Sequence, residues 1–245
     1  MLSVNGFVPL AELVQTLGVS ESTVRRDLEL LEEQGMIRRT HGGAVYVQDS
    51  PAHRLAFAER ETSAAREKLA IAEVVAGLIP AGQAVLVDGG TTCFEIARAL
   101  RGRHLSVITN SVPIAALLSA DLATEVTLIG GYVYPRTGVA LGAMAEQHVA
   151  MLHAAQLVLS CAGVTRQGAF NVNQMMVETE RKMMEAADKV ILAADHTKFG
   201  KRSVVELAAL EAFDRIVTDD GCDEQTRAWL AEFPAEVIYA RRPGE

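Results

Sequence analysis

Residues 20–45 read Ser20-Glu21-Ser22-Thr23-Val24-Arg25-Arg26-Asp27-Leu28-Glu29-Leu30-Leu31-Glu32-Glu33-Gln34-Gly35-Met36-Ile37-Arg38-Arg39-Thr40-His41-Gly42-Gly43-Ala44-Val45. Val24, Leu28 and Leu31 recur at i, i+4 and i+7, which sets them on one buried stripe of a helix. Ser20 stands just before that stripe, where its hydroxyl accepts a backbone N–H of the open first turn. Gly35 follows the last turn, at the place of a left-handed stop. On the same wheel Ser22, Arg25, Arg26 and Glu29 face the other way. Upstream, 9–17 is another short apolar-periodic helix (Leu10, Leu13, Val14, Leu17), and Gly18-Val19 makes the turn between the two. Downstream, 36–39 and 44–47 read as short strands around Gly42-Gly43. Helix, glycine turn and second helix form the arrangement whose second helix enters the DNA major groove, and the basic hairpin after it reads as a wing.

The charge is unusual for such a module. The first fifty residues hold four arginines against seven acids, and the chain of 245 residues has a net charge of −8. DNA-binding domains usually present a basic patch. The positive charge must therefore be gathered on one face, and non-specific affinity is expected to be modest. A dimer or higher homo-oligomer is expected to supply the missing phosphate contacts. A composition of 49% hydrophobic and 22% charged residues suits a globular protein with a small first domain and a larger second one. No apolar run approaches a membrane span and no signal peptide is visible, so a cytoplasmic protein is expected. Cys93, Cys161 and Cys222 are odd in number and widely spaced, and read as reduced thiols. The six histidines are scattered, so neither a metal site nor a cofactor is expected.

The boundaries read as a DNA-binding domain over 1–48, a linker over 49–63 and an α/β domain over 64–245. The linker contains Asp49-Ser50-Pro51 and turns into a connecting helix. A helix over 66–78 carries Leu69, Ala72, Val75 and Ala76 on one face, and Pro80-Ala81-Gly82 ends it. Beyond it, short apolar strands are predicted over 84–87, 105–108, 126–129, 157–160, 190–193, 216–218 and 237–239, buried on both faces. Helices are predicted between most of them, over 93–100, 114–119, 178–187, 208–213 and 223–233. The pattern is a doubly wound α/β domain.

In such folds ligands bind beyond the C-terminal ends of the strands. Polar residues fall there in this chain: Asp88-Gly89-Gly90-Thr91-Thr92, Thr109-Asn110-Ser111, Gly130-Gly131, Cys161-Ala162-Gly163 and Asp195-His196-Thr197-Lys198. Glycines allow close backbone approach, N–H groups and hydroxyls at helix starts favour an anion, and Lys198 adds a point charge. Each motif alone is equally well a turn or a surface residue. Their convergence on one edge suggests a pocket for a phosphorylated small molecule.

The segments Thr23-Val24-Arg25-Arg26-Asp27-Leu28, Leu31, Gly35 and Arg39-Thr40-His41-Gly42-Gly43-Ala44 resemble the signature of the DeoR family of bacterial transcriptional regulators. The resemblance places Arg25 and Arg26 on the recognition helix and His41-Gly42-Gly43 in the wing. Candidate DNA contacts are Ser20, Ser22, Thr23, Arg25, Arg26, Arg39, His41 and Gly42. The strand-end motifs, with Asp195-His196-Thr197-Lys198-Phe199, resemble the family's sensor domain, which is related in fold to ribose-5-phosphate isomerase and to CoA transferases. This implies a sugar-phosphate or polyol-phosphate effector held by Asp88, Gly90, Thr91, Thr92, Thr109, Asn110, Ser111, Gly130, Gly131, Asp195 and Lys198. Many family members carry Ser where this chain has Gly89. Glu178 and Lys182 match a family helix near the site, although a surface i,i+4 ion pair explains them equally well.

Three readings compete. The first is an effector-responsive regulator, expected to repress sugar or polyol catabolism genes through an operator in double-stranded DNA. The second is a sugar-phosphate isomerase-like enzyme with a DNA-binding appendage, for which Asp88, Asp195 or Glu178 would be the base, though none is marked as one and no catalytic residue is assigned. The third is a ligand-free DNA-binding protein, which the strand-end loops argue against. In the family a complete helix precedes the one over 9–17, and here only Met1 to Val4 precede Asn5-Gly6. The expectation is either a start upstream of Met1 or loss of that helix, and in both cases a first domain less stable than the second.

Overall fold

The computed structural model describes residues 7–33, 37–40, 42–46 and 60–241, in two compact units, Met1–Glu59 and Arg60–Glu245. The glycine stop at Gly35, the wing-tip His41 and the linker before Arg60 lie outside the described residues.

In the first unit β1 (Phe7–Pro9) leads into α1 (Leu10–Leu17). The sequence predicts a helix from Pro9. The structure ends a strand there instead, because Pro9 sits at φ −63°, ψ 145°, an extended conformation, and pairs with Gly43. Gly18 closes α1 at φ 66° and donates its N–H to the Val14 carbonyl, the left-handed stop that glycine adopts without strain. The second helix, α2 (Glu21–Glu33), begins where the Ser20 hydroxyl accepts the Thr23 N–H at 3.2 Å. Two further strands, β2 (Ile37–Thr40) and β3 (Gly43–Tyr46), form the wing, and β1 adds to β3 in an antiparallel sheet of order β1-β3-β2. Leu13, Val24, Leu28, Ile37 and Ala44 are its buried core, with Leu10, Val14 and Leu31 packed around them.

The second unit opens with α3 (Ala65–Leu78), then β4 (Ala84–Val87), α4 (Thr91–Ala99), β5 (Ser106–Thr109), α5 (Val112–Leu118) and β6 (Glu125–Leu128). A hairpin of β7 (Tyr132–Tyr134) and β8 (Val139–Leu141) follows, then α6 (Ala143–Val149), β9 (Gln156–Leu159), β10 (Gly163–Thr165), β11 (Gly168–Asn171) and α7 (Gln174–Glu185). The chain ends through β12 (Val190–Ala193), β13 (Val205–Ala208), β14 (Arg215–Asp219), α8 (Glu224–Leu230) and β15 (Glu236–Ala240). The seven predicted strands form one sheet of order β15-β14-β12-β9-β4-β5-β6, with every pairing parallel. Successive side chains of β4 go to opposite faces: Val85 and Val87 join one core with α3 and α4, and Leu86 joins the other with α7. This is the doubly wound fold. From β4 the chain winds outward to β5 and β6, then crosses back to β9 on the other side of β4. That reversal leaves a crevice beyond the ends of β4 and β9.

Further elements in the second unit differ from the sequence reading. Residues 208–213 are not a helix: β13 ends at Ala208 and a single 3-10 turn, Leu210–Ala212, follows. That strand joins β10 and β11 in a small antiparallel sheet whose strands mix glycine and polar residues with apolar ones.

Candidate functional site

The DNA-facing candidates belong to the first unit. Val24 and Leu28 point inward from α2, while Ser22, Thr23, Arg25 and Arg26 are exposed. Ser20 is engaged as the cap and lies 2.8 Å from the hydroxyls of both Ser22 and Thr23. Arg25 is held by Glu21 one turn earlier at 2.7 Å, whereas no ion pair holds Arg26 among the described residues. Gly42 is exposed and gives its carbonyl to the Leu10 N–H, tying the wing tip to the start of α1. Of Arg39 only the backbone is described, paired with Ala44.

The second unit brings most of the strand-end residues together. Asp88 follows β4 and is buried, and its Oδ1 accepts from the Asn110 side-chain amide at 3.2 Å. Burial raises the Asp88 carboxyl to about 7, against the lowering effect of that bond and of the Gly89 N–H. The Asn110 side-chain carbonyl is buried without a hydrogen-bond partner. Thr109 and Ser111 serve the local turn: Thr109 Oγ1 accepts the Ser111 N–H, and Ser111 Oγ caps α5. Thr91 and Thr92 occupy the buried first turn of α4, whose N-cap is Gly90 at φ 104° with no side-chain cap. A Cβ on Gly90 would lie 2.9 Å from Ser160 Oγ after β9, so the loops beyond β4 and β9 close on each other.

Gly89 has a specific role in this chain. A Cβ there would lie 2.0 Å from Val139 Cγ1, so the glycine admits the β7–β8 hairpin against the loop. The hairpin is fixed to the β5 loop by Ala140 N–H to Asn110 C=O and Val112 N–H to Gly138 C=O. Gly130 is exposed and a Cβ there would meet open space, and Gly131 backs onto Leu141 and Ala145. Both thus start the hairpin.

After β12, Asp195 is buried and caps the 3-10 turn His196–Lys198, accepting the Thr197 N–H at 3.1 Å. Lys198 is half-buried. His196 Nδ1 lies 2.7 Å from Oδ2 of the buried Asp219, whose Oδ1 accepts the His196 N–H. Glu67 lies within 4.8 Å of both in a spacing that metal ligands can have. The Asp219 oxygens are already committed to His196 and the Gly221 N–H, which makes Asp219 a support for the turn.

Glu178 and Lys182 are not part of this cluster, nor a pair with each other. Glu178 is exposed and accepts from Gln174, and Lys182 pairs with Glu185 at 2.6 Å. The helix instead turns Glu180 inward with Met176, Val177 and Met183. Glu180 accepts from Asn171 at 2.6 Å, its other oxygen has no partner, and burial, with the nearby Asp88, pushes its carboxyl well above the ordinary range. Sequence reasoning missed it, although a glutamate on the apolar stripe of a helix is a legible signal.

A winged helix-turn-helix followed by an α/β sheet with polar loops at its switch point defines a DNA-binding regulator with a sensor domain. The chain belongs to the DeoR family: residues 1–50 match the DeoR-like helix-turn-helix domain and residues 63–220 the DeoR C terminal sensor domain. The HTH-type transcriptional repressor CsqR of Escherichia coli (strain K12) is 36% identical over 97% of this chain and 91% of its own length. The glycerol-3-phosphate regulon repressor of the same organism is 32% identical over 87% and 85%. Ribose 5 phosphate isomerase A from Neisseria gonorrhoeae aligns with 55% of this chain and 53% of its own at 16% identity and a TM-score of 0.41. Among the described residues no helix is long and apolar enough to cross a membrane.

Proposed function

We propose that the chain is a cytoplasmic, oligomeric repressor of sugar or polyol catabolism genes, and that it leaves its operator when a phosphorylated sugar or polyol occupies the crevice beyond β4 and β9. The observation that carries this reading is the start of α4. Its N-cap is a glycine with no side-chain cap, and it opens at the sheet's switch point. Free N–H groups there, with the helix dipole, favour a phosphate, and Lys198 supplies an ammonium on the β12 side. The buried polar set of Asp88, Asn110 and Glu180 suits sugar hydroxyls, because two of its oxygens lack partners. Relatives whose names specify repressors, one of them of a glycerol-3-phosphate regulon, support the direction and the ligand class. Ser20, Ser22, Thr23, Arg25, Arg26, Arg39, His41 and Gly42 are proposed to face the operator.

A second reading has one observation in its favour. Raised carboxyls at Asp88 and Glu180 are what a general acid or base at neutral pH requires. Incubation with a panel of sugar phosphates separates the two. Operator release without turnover supports the regulator, and isomerisation abolished by Asp88→Asn supports the enzyme.

A further inference from the structure

The strand-end cluster is flanked by the hairpin β7–β8 on the β5 side and by the turn His196–Lys198 on the β12 side. Both flanks are tied to residues 60–68, the stretch by which the chain enters the second unit. On one side the Arg60 guanidinium donates to the Arg136 carbonyl, in the turn of the hairpin, at 3.2 Å. On the other, Glu67 lies within 4.8 Å of His196 and Asp219, so the first turn of α3 abuts the lysine-bearing turn. Between them Lys68 is buried, and its Nζ donates to the carbonyls of Arg60 and Ser63. Among the described residues no carboxylate forms an ion pair with it. Ala64, the residue after the second of these carbonyls, is held at φ 52°, a left-handed conformation that alanine disfavours. Burial lowers the Lys68 pKa, Asp195 raises it and Lys198 lowers it, so the two ammonium groups are within electrostatic reach of each other.

A buried ammonium satisfied by carbonyls alone, near a second ammonium, is poised to accept an anion in exchange. We propose that Lys68 is a second cation of the anion site and its link to the DNA-binding unit: an entering phosphate draws Nζ from the Arg60 and Ser63 carbonyls and releases the 60–64 segment. Such an exchange gives the ligand different affinities for two arrangements of the chain, which coupling between sites requires. The inference rests on the sensor reading above and adds to it a named residue and a route.

The test uses the full chain and inorganic phosphate, with binding followed by calorimetry and the 60–68 amides by hydrogen exchange. Phosphate is expected to speed exchange of these amides in the wild type. Lys68→Met and Lys198→Ala are each expected to weaken phosphate binding about tenfold or more. Lys68→Arg, which keeps the charge, is expected to restore most of it. A folded Lys68→Met that binds like the wild type, while Lys198→Ala is weakened, overturns this inference and leaves the anion site standing. Wild-type binding in both variants overturns the anion site and the inference with it. If Lys68→Met melts far below the wild type, the exchange measurement decides alone: amides at 60–68 that ignore saturating phosphate overturn the inference.

Discussion

Burial raises both the Asp88 and the Glu180 carboxyl, and the nearby Asp88 adds to the rise at Glu180. The consequence for stability has a definite sign. Asp88 is raised from the usual 3.8 to about 7 in the folded chain, so between those values the folded state binds more protons than the unfolded one. Stability therefore falls as pH rises through that window, by up to about 1.4 kcal/mol per unit, and levels off above it. Asp88→Asn is expected to flatten this fall, and denaturant titrations at pH 5 and pH 8 would show it. Equal pH dependence in both proteins would contradict the assignment. On the DNA side, Arg25 is held by Glu21 while Arg26 is free of ion pairs among the described residues. Arg26→Ala is thus expected to weaken operator binding by about 1–3 kcal/mol if it reads a base edge, with the fold unchanged. Wild-type binding by this variant at matched salt would remove Arg26 from the interface.

Among the elements, the first unit rests on a small core as far as its described residues go: Leu13, Val24, Leu28, Ile37 and Ala44 are buried, with Leu10, Val14 and Leu31 packed against them. So little apolar surface leaves the unit open to local unfolding. Amides of Leu13 and Leu28 are expected to exchange well before that of Val190, and equal protection would contradict this. The hairpin β7–β8 makes a different demand. A side chain at residue 89 meets Val139, so Gly89→Ser is expected to displace the hairpin and to cost about 1–3 kcal/mol in a thermal melt. The parallel strands were legible as short, nearly all apolar runs between turn signals, and the recognition helix by its 3.6-residue period. The hairpin and the β10-β11-β13 sheet were not, because their strands are three residues long or interrupt the apolar run with glycine, asparagine or glutamate. Asp88, Asn110 and Asp195 were legible as polar residues at strand ends. Glu180 lay on a helix, and the family match drew attention to its exposed neighbour Glu178.

For the whole molecule, an acidic chain with a small groove-reading unit needs more than one copy for useful affinity, since tethered modules act at a high effective concentration. Sedimentation at micromolar concentration is expected to give a dimer or larger species. A monomer that binds operator fully and without cooperativity would rule this out. The central claim is that a phosphate in the strand-end crevice governs DNA binding. The most direct measurement is an operator-release curve against the phosphorylated compound that emerges from the panel, run on wild type, Thr92→Ala and Lys198→Ala, and repeated with the dephosphorylated compound. The account predicts near wild-type operator binding by both variants, a release curve shifted to higher effector concentration in each, and no release by the dephosphorylated compound. Release at the wild-type concentration in both variants, or equal release without the phosphate, would contradict it.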